Sequence, residues 1–141
     1  MVYSATKHID GQGRCLDGAI LGTAKYINEV LNPVHYPTLE NFPQMELPRR
    51  QMKSGGTMVS LDFKGKESSF RFLNALKLVL ISNNLGDSKS LATHPATTTH
   101  QRLSPEQKAA QGITPDAIRL SVGLEDVGDL LADVHQALDE A

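Results

Sequence analysis

The chain has 141 residues, of which 40% are hydrophobic and 21% charged, and its formal net charge is −2. This length suits a single core, and no apolar run approaches the roughly 20 residues of a membrane span. The near-neutral charge argues against nucleic acid as a partner. The single cysteine, Cys15, allows no internal disulfide and no secretory signal pattern opens the chain, so a reducing, cytoplasmic location is expected.

Residues 1–31 combine a glycine-rich opening with the segment AKYINEVL. Ala24, Ile27 and Leu31 recur there at helical spacing, which predicts a helix near the end of this part. Four of the seven prolines follow closely: Pro33, Pro37, Pro43 and Pro48. Proline at this density prevents a long helix or a central strand, so we interpret residues 32–54 as a linker or junction.

From Gly55 onward the pattern becomes regular. TMVSLDF alternates apolar and polar residues as a half-buried strand does. KESSFRFLNALKL predicts a helix with Phe70, Leu73 and either Leu76 or Lys77 on its apolar stripe, and LVLIS has the length of a strand. SPEQKAAQG predicts a short helix that begins with an S-x-x-Q capping box and ends at a glycine.

The last 25 residues predict one further strand and one further helix. AIRLSVG has the composition of a strand, and DVGDLLADVHQALDE places an apolar stripe along one helix face. That stripe consists of Val127, Leu130, Leu131, Val134 and Leu138. Residues 55–141 are therefore expected to form an α/β domain, a short sheet with helices on one face.

Lys7 is either an ordinary solvated charge or an amine that forms a Schiff base with a carbonyl group. Its neighbours Ser4 and Thr6 offer hydroxyl groups to an anion. Arg119, between two apolar residues of a predicted strand, must either reach solvent at an edge or bind an anion such as a carboxylate. The spacing leaves both alternatives open for each residue.

Other polar residues favour structural interpretations. His94 and His100 have no cysteine or carboxylate at a recognised ligand spacing, so a hydrogen-bonded structural role is favoured over a metal site. The basic residues Arg49, Arg50, Lys53, Lys64 and Lys66 are interpreted as a solvated face. Cys15 is interpreted as an inert side chain.

The phrase SATKHIDGQGRC closely resembles the lysine signature of the pyridoxal-phosphate (PLP) enzymes of cysteine and methionine metabolism, the transsulfuration family. The region from FRFLNALKL to SVGLEDV is similar to the C-terminal domain of that family, in order and nearly without gaps. The phrases DGQGRC, NLGD and HPATTTHQRL most resemble its O-succinylhomoserine sulfhydrylase branch.

The resemblance implies an aspartate-aminotransferase-like (fold type I) architecture and roles for matching residues. Lys7 would bind PLP covalently and later move protons at the α and β carbons of the substrate. Ser4 and Thr6 would contact the cofactor phosphate. Arg119 would clamp the α-carboxylate of the substrate, assisted by the side chain or adjacent backbone of Asn84.

The implied reaction is γ-replacement of succinate by sulfide on O-succinylhomoserine, giving homocysteine in methionine biosynthesis. A cystathionine γ-synthase or γ-lyase type of enzyme and a non-catalytic α/β module are the alternatives. Members of the family are homo-oligomers whose active sites lie between subunits, so a homo-oligomer is also implied.

The chain departs from the family pattern by lacking a long portion before Lys7 and a connecting segment between KYINEVL and NPVHYPTL. Residues 1–31 are thus expected to be a remnant of the cofactor domain, and residues 55–141 the C-terminal domain. Asp17 stands where the family usually has glycine, and His8 where it usually has an aromatic residue. The isolated chain is expected to be a fragment that is poorly active or inactive.

Overall fold

The computed structural model describes residues 31–141, apart from 38, 40, 41 and 54. Within this part of the chain, five strands form one sheet in the order β1-β2-β5-β4-β3. The strands are β1 (Leu31–His35), β2 (Met58–Phe63), β3 (Leu80–Ile81), β4 (Leu91–Thr93) and β5 (Ala117–Ser121). Only β3 and β4 pair in parallel, and the other neighbours are antiparallel. β5 is therefore the central strand, bonded along both edges.

The described residues also form four α-helices and one 3₁₀ turn. The helices are α1 (Glu46–Gln51), α2 (Lys66–Ala75), α3 (Pro105–Ala110) and α4 (Val127–Asp139), and the 3₁₀ turn covers Pro95–Thr97. None of the described helices has the length and apolar character that crossing a bilayer requires. α2 and α4 pack against each other, and their apolar residues join those of the sheet in one core.

The core lies between one face of the sheet and these two helices. Along β2 the residues alternate between buried and half-buried, so that Val59, Leu61 and Phe63 face the helices. Phe63 packs on Phe72 of α2 with ring centroids 5.1 Å apart. Burial of such apolar side chains is the main free-energy gain of folding. The predicted α/β architecture with helices on one face is confirmed.

The expected junction over residues 32–54 contains two elements that the proline pattern did not predict. β1 occupies an edge of the sheet, where the missing N–H of Pro33 need not interrupt a ladder. His35 Nε2 lies 2.9 Å from Asp62 Oδ2 and ties β1 to β2. α1 includes Pro48 in its first turn, where a helix tolerates proline. The junction is thus partly built into the sheet.

The helical stripes were predicted only in part. In α2 the fully buried aromatic residue is Phe72, whereas Phe70 is half-buried against the ring of His94, with centroids 5.0 Å apart. In α4 the stripe residues Leu130, Val134 and Leu138 are buried and Leu131 is partly buried, but Val127 is 50% exposed. Periodicity identifies a face of a helix but does not show where its partner surface ends.

The predicted capping box at the start of α3 is confirmed. Ser104 Oγ accepts the N–H of Gln107, and the Gln107 side chain accepts the N–H of Ser104. Gly112 follows the helix with φ of 68°, a left-handed conformation that glycine adopts without strain. The predicted strand over LVLIS is reduced to β3, whose two residues are both exposed. β4 was not predicted, since three residues are too few to show an alternation.

Candidate carboxylate-binding site

Arg119 occupies the middle of the central strand, opposite Ser60 of β2 and Thr93 of β4. Its neighbours Ile118 and Leu120 are buried in the core. Successive side chains of a strand alternate between faces, so Arg119 lies on the face opposite the helices. A central strand has no free edge, so Arg119 does not lie at an edge of the sheet.

The guanidinium of Arg119 is held by the turn that follows β3. Its Nη2 donates to the backbone carbonyl oxygens of Asn83 and Asn84 at 3.1 and 3.0 Å. Its Nε is buried without a hydrogen-bond partner. Within the described residues, Nη2 is thus the one nitrogen of this side chain that forms hydrogen bonds.

The state of Arg119 suits an anionic ligand. Burial lowers the pKa of Arg119 from its usual value because the charged form loses hydration. Arginine nevertheless stays protonated in proteins, so the site keeps a partly dehydrated cation with unused donors. A carboxylate offsets that cost with charge-assisted hydrogen bonds, which are about twice as strong as neutral ones.

Asn84, the second residue predicted for this site, does lie beside Arg119. Its backbone carbonyl accepts from the guanidinium, and its backbone N–H donates to Ser82 Oγ at 3.3 Å. The side chain of Asn84 is exposed. The structure therefore brings the two predicted residues together through the backbone of Asn84.

Sequence reasoning missed a third member of this arrangement, Ser121. Its side chain is 1% exposed, and its Oγ accepts the N–H of Gly86 at 2.8 Å. Gly86 has φ of 68°, so the turn uses a left-handed conformation at this position. Ser121 lies two residues from Arg119, on the same face of β5, and this strand spacing was the available signal.

The remaining predicted site residues are Ser4, Thr6 and Lys7, and they lie outside the described residues, as does Cys15. Their roles stay predictions.

His94 has the predicted structural role. It is 2% exposed, with Nε2 2.8 Å from the carbonyl oxygen of Pro115 and Nδ1 2.8 Å from Thr97 Oγ1. A carbonyl only accepts, so Nε2 carries a proton and is not available to a metal. The described residues contain no cluster of three or more histidine, cysteine or acidic side chains able to hold a metal ion.

A separate cavity of about 530 Å³ lies beside His94, between the 3₁₀ turn and α3. Its lining is mainly apolar, with Lys66 and Lys108 at two positions. Neither Arg119 nor Asn84 lines it. The position of Arg119 and its bonding, rather than cavity volume, therefore identify the candidate site.

Comparison with known proteins places this arrangement in a family. Residues 23–139 match the family model described as Cys/Met metabolism PLP-dependent enzyme. O-succinylhomoserine sulfhydrylase from Mycobacterium tuberculosis is 40% identical over 193 aligned positions, which cover 98% of this chain and 48% of that protein. L-methionine gamma-lyase from Pseudomonas putida is 51% identical over 106 residues, which cover 74% of this chain and 27% of that protein.

The chain spans about half the length of the curated sulfhydrylase relatives. The alignment with the Mycobacterium protein has 193 positions although this chain has 141 residues, so that protein has residues within the matched region that this chain lacks.

Solved structures show the same fold relationship. A putative O-acetylhomoserine (thiol)-lyase from Campylobacter jejuni, with N'-pyridoxyl-lysine-5'-monophosphate, is 40% identical at a TM-score of 0.73 and covers 82% of this chain and 28% of that chain. Cystathionine gamma synthase from Xanthomonas oryzae pv. oryzae, in complex with cystathionine, is 35% identical at a TM-score of 0.76 and covers 79% and 29%. The family match, the fold and the identities agree: this chain belongs to the Cys/Met metabolism family of PLP-dependent enzymes.

Proposed function

We propose that this chain is part of a PLP-dependent transsulfuration enzyme that exchanges the succinate of O-succinylhomoserine for sulfide, giving homocysteine and free succinate. The observation that carries the proposal is the partly buried guanidinium of Arg119, which has a buried Nε without a partner. Such a group fits the α-carboxylate of an amino-acid substrate. Over nearly the whole chain the sulfhydrylase relatives are 36–40% identical, against 30–31% for two methionine gamma-lyases, which favours the sulfhydrylase branch.

Different residues of the chain would bind the cofactor and the substrate. Lys7 would hold PLP and move protons at the α and β carbons of the substrate, while Ser4 and Thr6 would contact the cofactor phosphate. When bound, PLP withdraws electrons and acidifies the substrate's α proton. Arg119 would fix the α-carboxylate and so select which bond at the α carbon can break. Asn83 and Asn84 would orient that arginine through their carbonyl oxygens.

A lyase or synthase of the same family is the second candidate. The Pseudomonas putida methionine gamma-lyase has 51% identity over its matched region, higher than the 40% of the Mycobacterium sulfhydrylase. That region covers 74% of this chain, and the methionine gamma-lyases that cover 99% of it are only 30–31% identical, against 36–40% for the sulfhydrylases over 98%. Sulfhydrylase activity is therefore the first proposal, and a γ-lyase or cystathionine γ-synthase activity the second.

The oligomeric state and cellular location proposed for the enzyme follow from its family and composition. A homo-oligomer in the cytoplasm fits the single cysteine of the chain and a site completed between subunits. Since the curated relatives are about twice as long, we propose that the 141-residue chain alone turns over slowly or not at all. Size-exclusion chromatography coupled to light scattering measures the oligomeric state, and a strict monomer would favour the non-catalytic module.

The test begins with cofactor capture. The purified full chain is incubated with PLP, reduced with borohydride and mapped by peptide mass, with Lys7→Ala as the control. Near-stoichiometric labelling confined to Lys7 is expected, because the hydroxyl groups of Ser4 and Thr6 would bind the PLP phosphate beside this lysine and not beside surface lysines. Scattered labelling that persists in Lys7→Ala would contradict the proposed role of Lys7.

The labelled chain is then supplied with O-succinyl-L-homoserine and sulfide. Homocysteine and succinate in equal amounts identify the sulfhydrylase reaction, and product from cystathionine or methionine alone identifies the second candidate. Rapid turnover by the chain alone would contradict the proposal that it is poorly active.

A further inference from the structure

We infer that Ser121 is a positioning residue for Arg119: its buried hydroxyl holds the turn from Asn83 to Gly86, and that turn orients the guanidinium. The inference rests on the proposed function for the identity of the ligand, an amino-acid carboxylate. The bonding between Ser121, the turn and Arg119 is independent of that assignment.

The turn between β3 and β4 is attached to the rest of the sheet at its start, in its middle and after its end. At its start, Ser82 N–H donates to Ala92 O at 3.0 Å, which continues the parallel ladder. After its end, Ser88 O accepts the N–H of Leu124 at 2.8 Å. The middle of the turn is attached to β5, and the described contacts there come from Arg119 and Ser121.

These two attachments act on the same short stretch of backbone. Arg119 Nη2 bonds to the carbonyls of Asn83 and Asn84, and Ser121 Oγ bonds to the amide of Gly86. Gly86 has a left-handed φ of 68°, a conformation typical of tight turns, and its N–H lies 2.8 Å from Ser121 Oγ on β5. Without the Ser121 hydroxyl, the turn loses its bond to β5 at Gly86, next to the two carbonyl groups that orient Arg119.

That difference matters for ligand binding. A guanidinium that is oriented by fixed carbonyls presents its remaining donors in one direction, which lowers the entropy cost of capturing a carboxylate. A guanidinium that follows a loose turn has to be ordered when the ligand arrives. Ser121 is thus expected to affect carboxylate affinity without touching the carboxylate.

The test uses nuclear magnetic resonance on the full chain labelled with nitrogen-15. Hydrogen exchange is measured at the Gly86 amide and at Arg119 Nε–H, and the Arg119 Nε signal is followed during titration with L-methionine as the carboxylate probe. In Ser121→Ala we expect exchange at both positions to be about tenfold faster and the Kd for L-methionine to rise about tenfold, as for loss of one hydrogen bond.

Ser90→Ala is the matched control. Ser90 is also buried at this end of the sheet, 3% exposed, but its Oγ bonds to Glu125 and to the N–H of Gly123 rather than to the turn. Ser90→Ala also removes a buried, hydrogen-bonded hydroxyl, and is expected to leave the exchange rates of the Gly86 amide and Arg119 Nε–H at their wild-type values. Ser121→Cys leaves no cavity and replaces the hydroxyl with a larger, weaker acceptor, so it should change exchange in the same direction if Ser121→Ala folds poorly.

The inference is overturned if Ser121→Ala and Ser121→Cys leave both exchange rates unchanged, or if Ser90→Ala changes them equally. Failure of the proposed function has a different signature. If L-methionine does not shift the Arg119 signal in the wild type, Arg119 does not bind carboxylate, while the exchange rates still decide whether Ser121 holds it.

Discussion

Asp133 is a buried carboxylate that the apolar stripe of α4 did not reveal. It is 6% exposed and accepts the consecutive backbone N–H groups of Lys77, Leu78 and Val79 at 2.8 to 2.9 Å. Gln136 Nε2 donates to it as well, at 3.1 Å. Burial alone would raise the pKa of Asp133, but these hydrogen bonds outweigh it, and the pKa lies below its usual value.

Replacing Asp133 with asparagine tests this interaction. An asparagine amide turns an N–H donor toward backbone donors, so Asp133→Asn is expected to lower the free energy of unfolding at pH 7 by about 1.5–3 kcal/mol. Urea unfolding followed by circular dichroism measures the loss. Asp129→Asn, on an exposed position of the same helix, is the control and should stay near wild type. Equal midpoints for the two variants would show that the bonds to Asp133 contribute little.

The stabilisation that Asp133 contributes is expected to decrease as the pH falls. The folded pKa of Asp133 lies below the unfolded value of about 3.9, so its ionised form binds the backbone groups more strongly than its neutral form does. The resulting stabilisation is complete above the unfolded pKa and is lost as pH falls through the folded pKa. The stability difference between wild type and Asp133→Asn should therefore narrow below about pH 4. A constant difference from pH 7 to pH 2 would contradict this.

At the scale of elements, α4 is fastened at both ends. Asp126 is its N-cap and accepts the N–H groups of Gly128 and Asp129 at 2.8 and 3.3 Å. At the other end, the Arg71 guanidinium of α2 donates to the carbonyl oxygens of Glu140 and Ala141 at 3.1 and 2.7 Å. The cap and the bond to the Glu140 carbonyl satisfy backbone groups that a helix terminus leaves without partners.

The contribution of the Asp126 cap to stability can be measured separately from the contribution of its charge. Asp126→Ala is expected to cost about 1 kcal/mol, since two N–H groups lose their acceptor. Asp129→Ala removes an equal charge from the same first turn without removing the cap, so it should cost less. Thermal unfolding of both variants distinguishes a capping effect from a charge effect, and equal losses would assign the effect to charge and the helix dipole.

At the scale of the whole molecule, the chain between β5 and α4 crosses the segment before β4 in close backbone contact. A Cβ atom on Gly123 would lie 2.5 Å from backbone atoms of Ser88, Lys89 and Ser90. Glu125 fastens the same crossing by accepting both the N–H and the hydroxyl of Ser90 at 2.7 and 2.9 Å. This crossing joins the central strand to its neighbour and carries the polypeptide to the helical layer.

Gly123→Ala is expected to destabilise the fold by about 1–3 kcal/mol or more, because the clashing atoms belong to backbone and cannot rotate away. Gly65→Ala is the control, since a Cβ there meets nothing within 4 Å. Urea unfolding of the two variants gives the comparison. A Gly123→Ala protein as stable as Gly65→Ala would mean that the two segments separate easily.

The amino-acid sequence by itself determined the elements whose signals are local. The alternation in MVSLDF and the capping box of α3 depend on residues within one strand or one turn, and both were predicted correctly. The lysine phrase and the region around Arg119 identified the family, because order and spacing along the chain suffice for a resemblance.

Only the tertiary structure decided which residues meet. Asn84 and Arg119 are 35 residues apart in sequence, as are Gly86 and Ser121, and their contacts exist because sheet order brings the turn after β3 onto β5. The burial of Phe72 instead of Phe70 has the same origin. Periodicity reports which residues share a face, whereas hydrogen-bond partners and the limits of burial depend on which elements pack together across the chain.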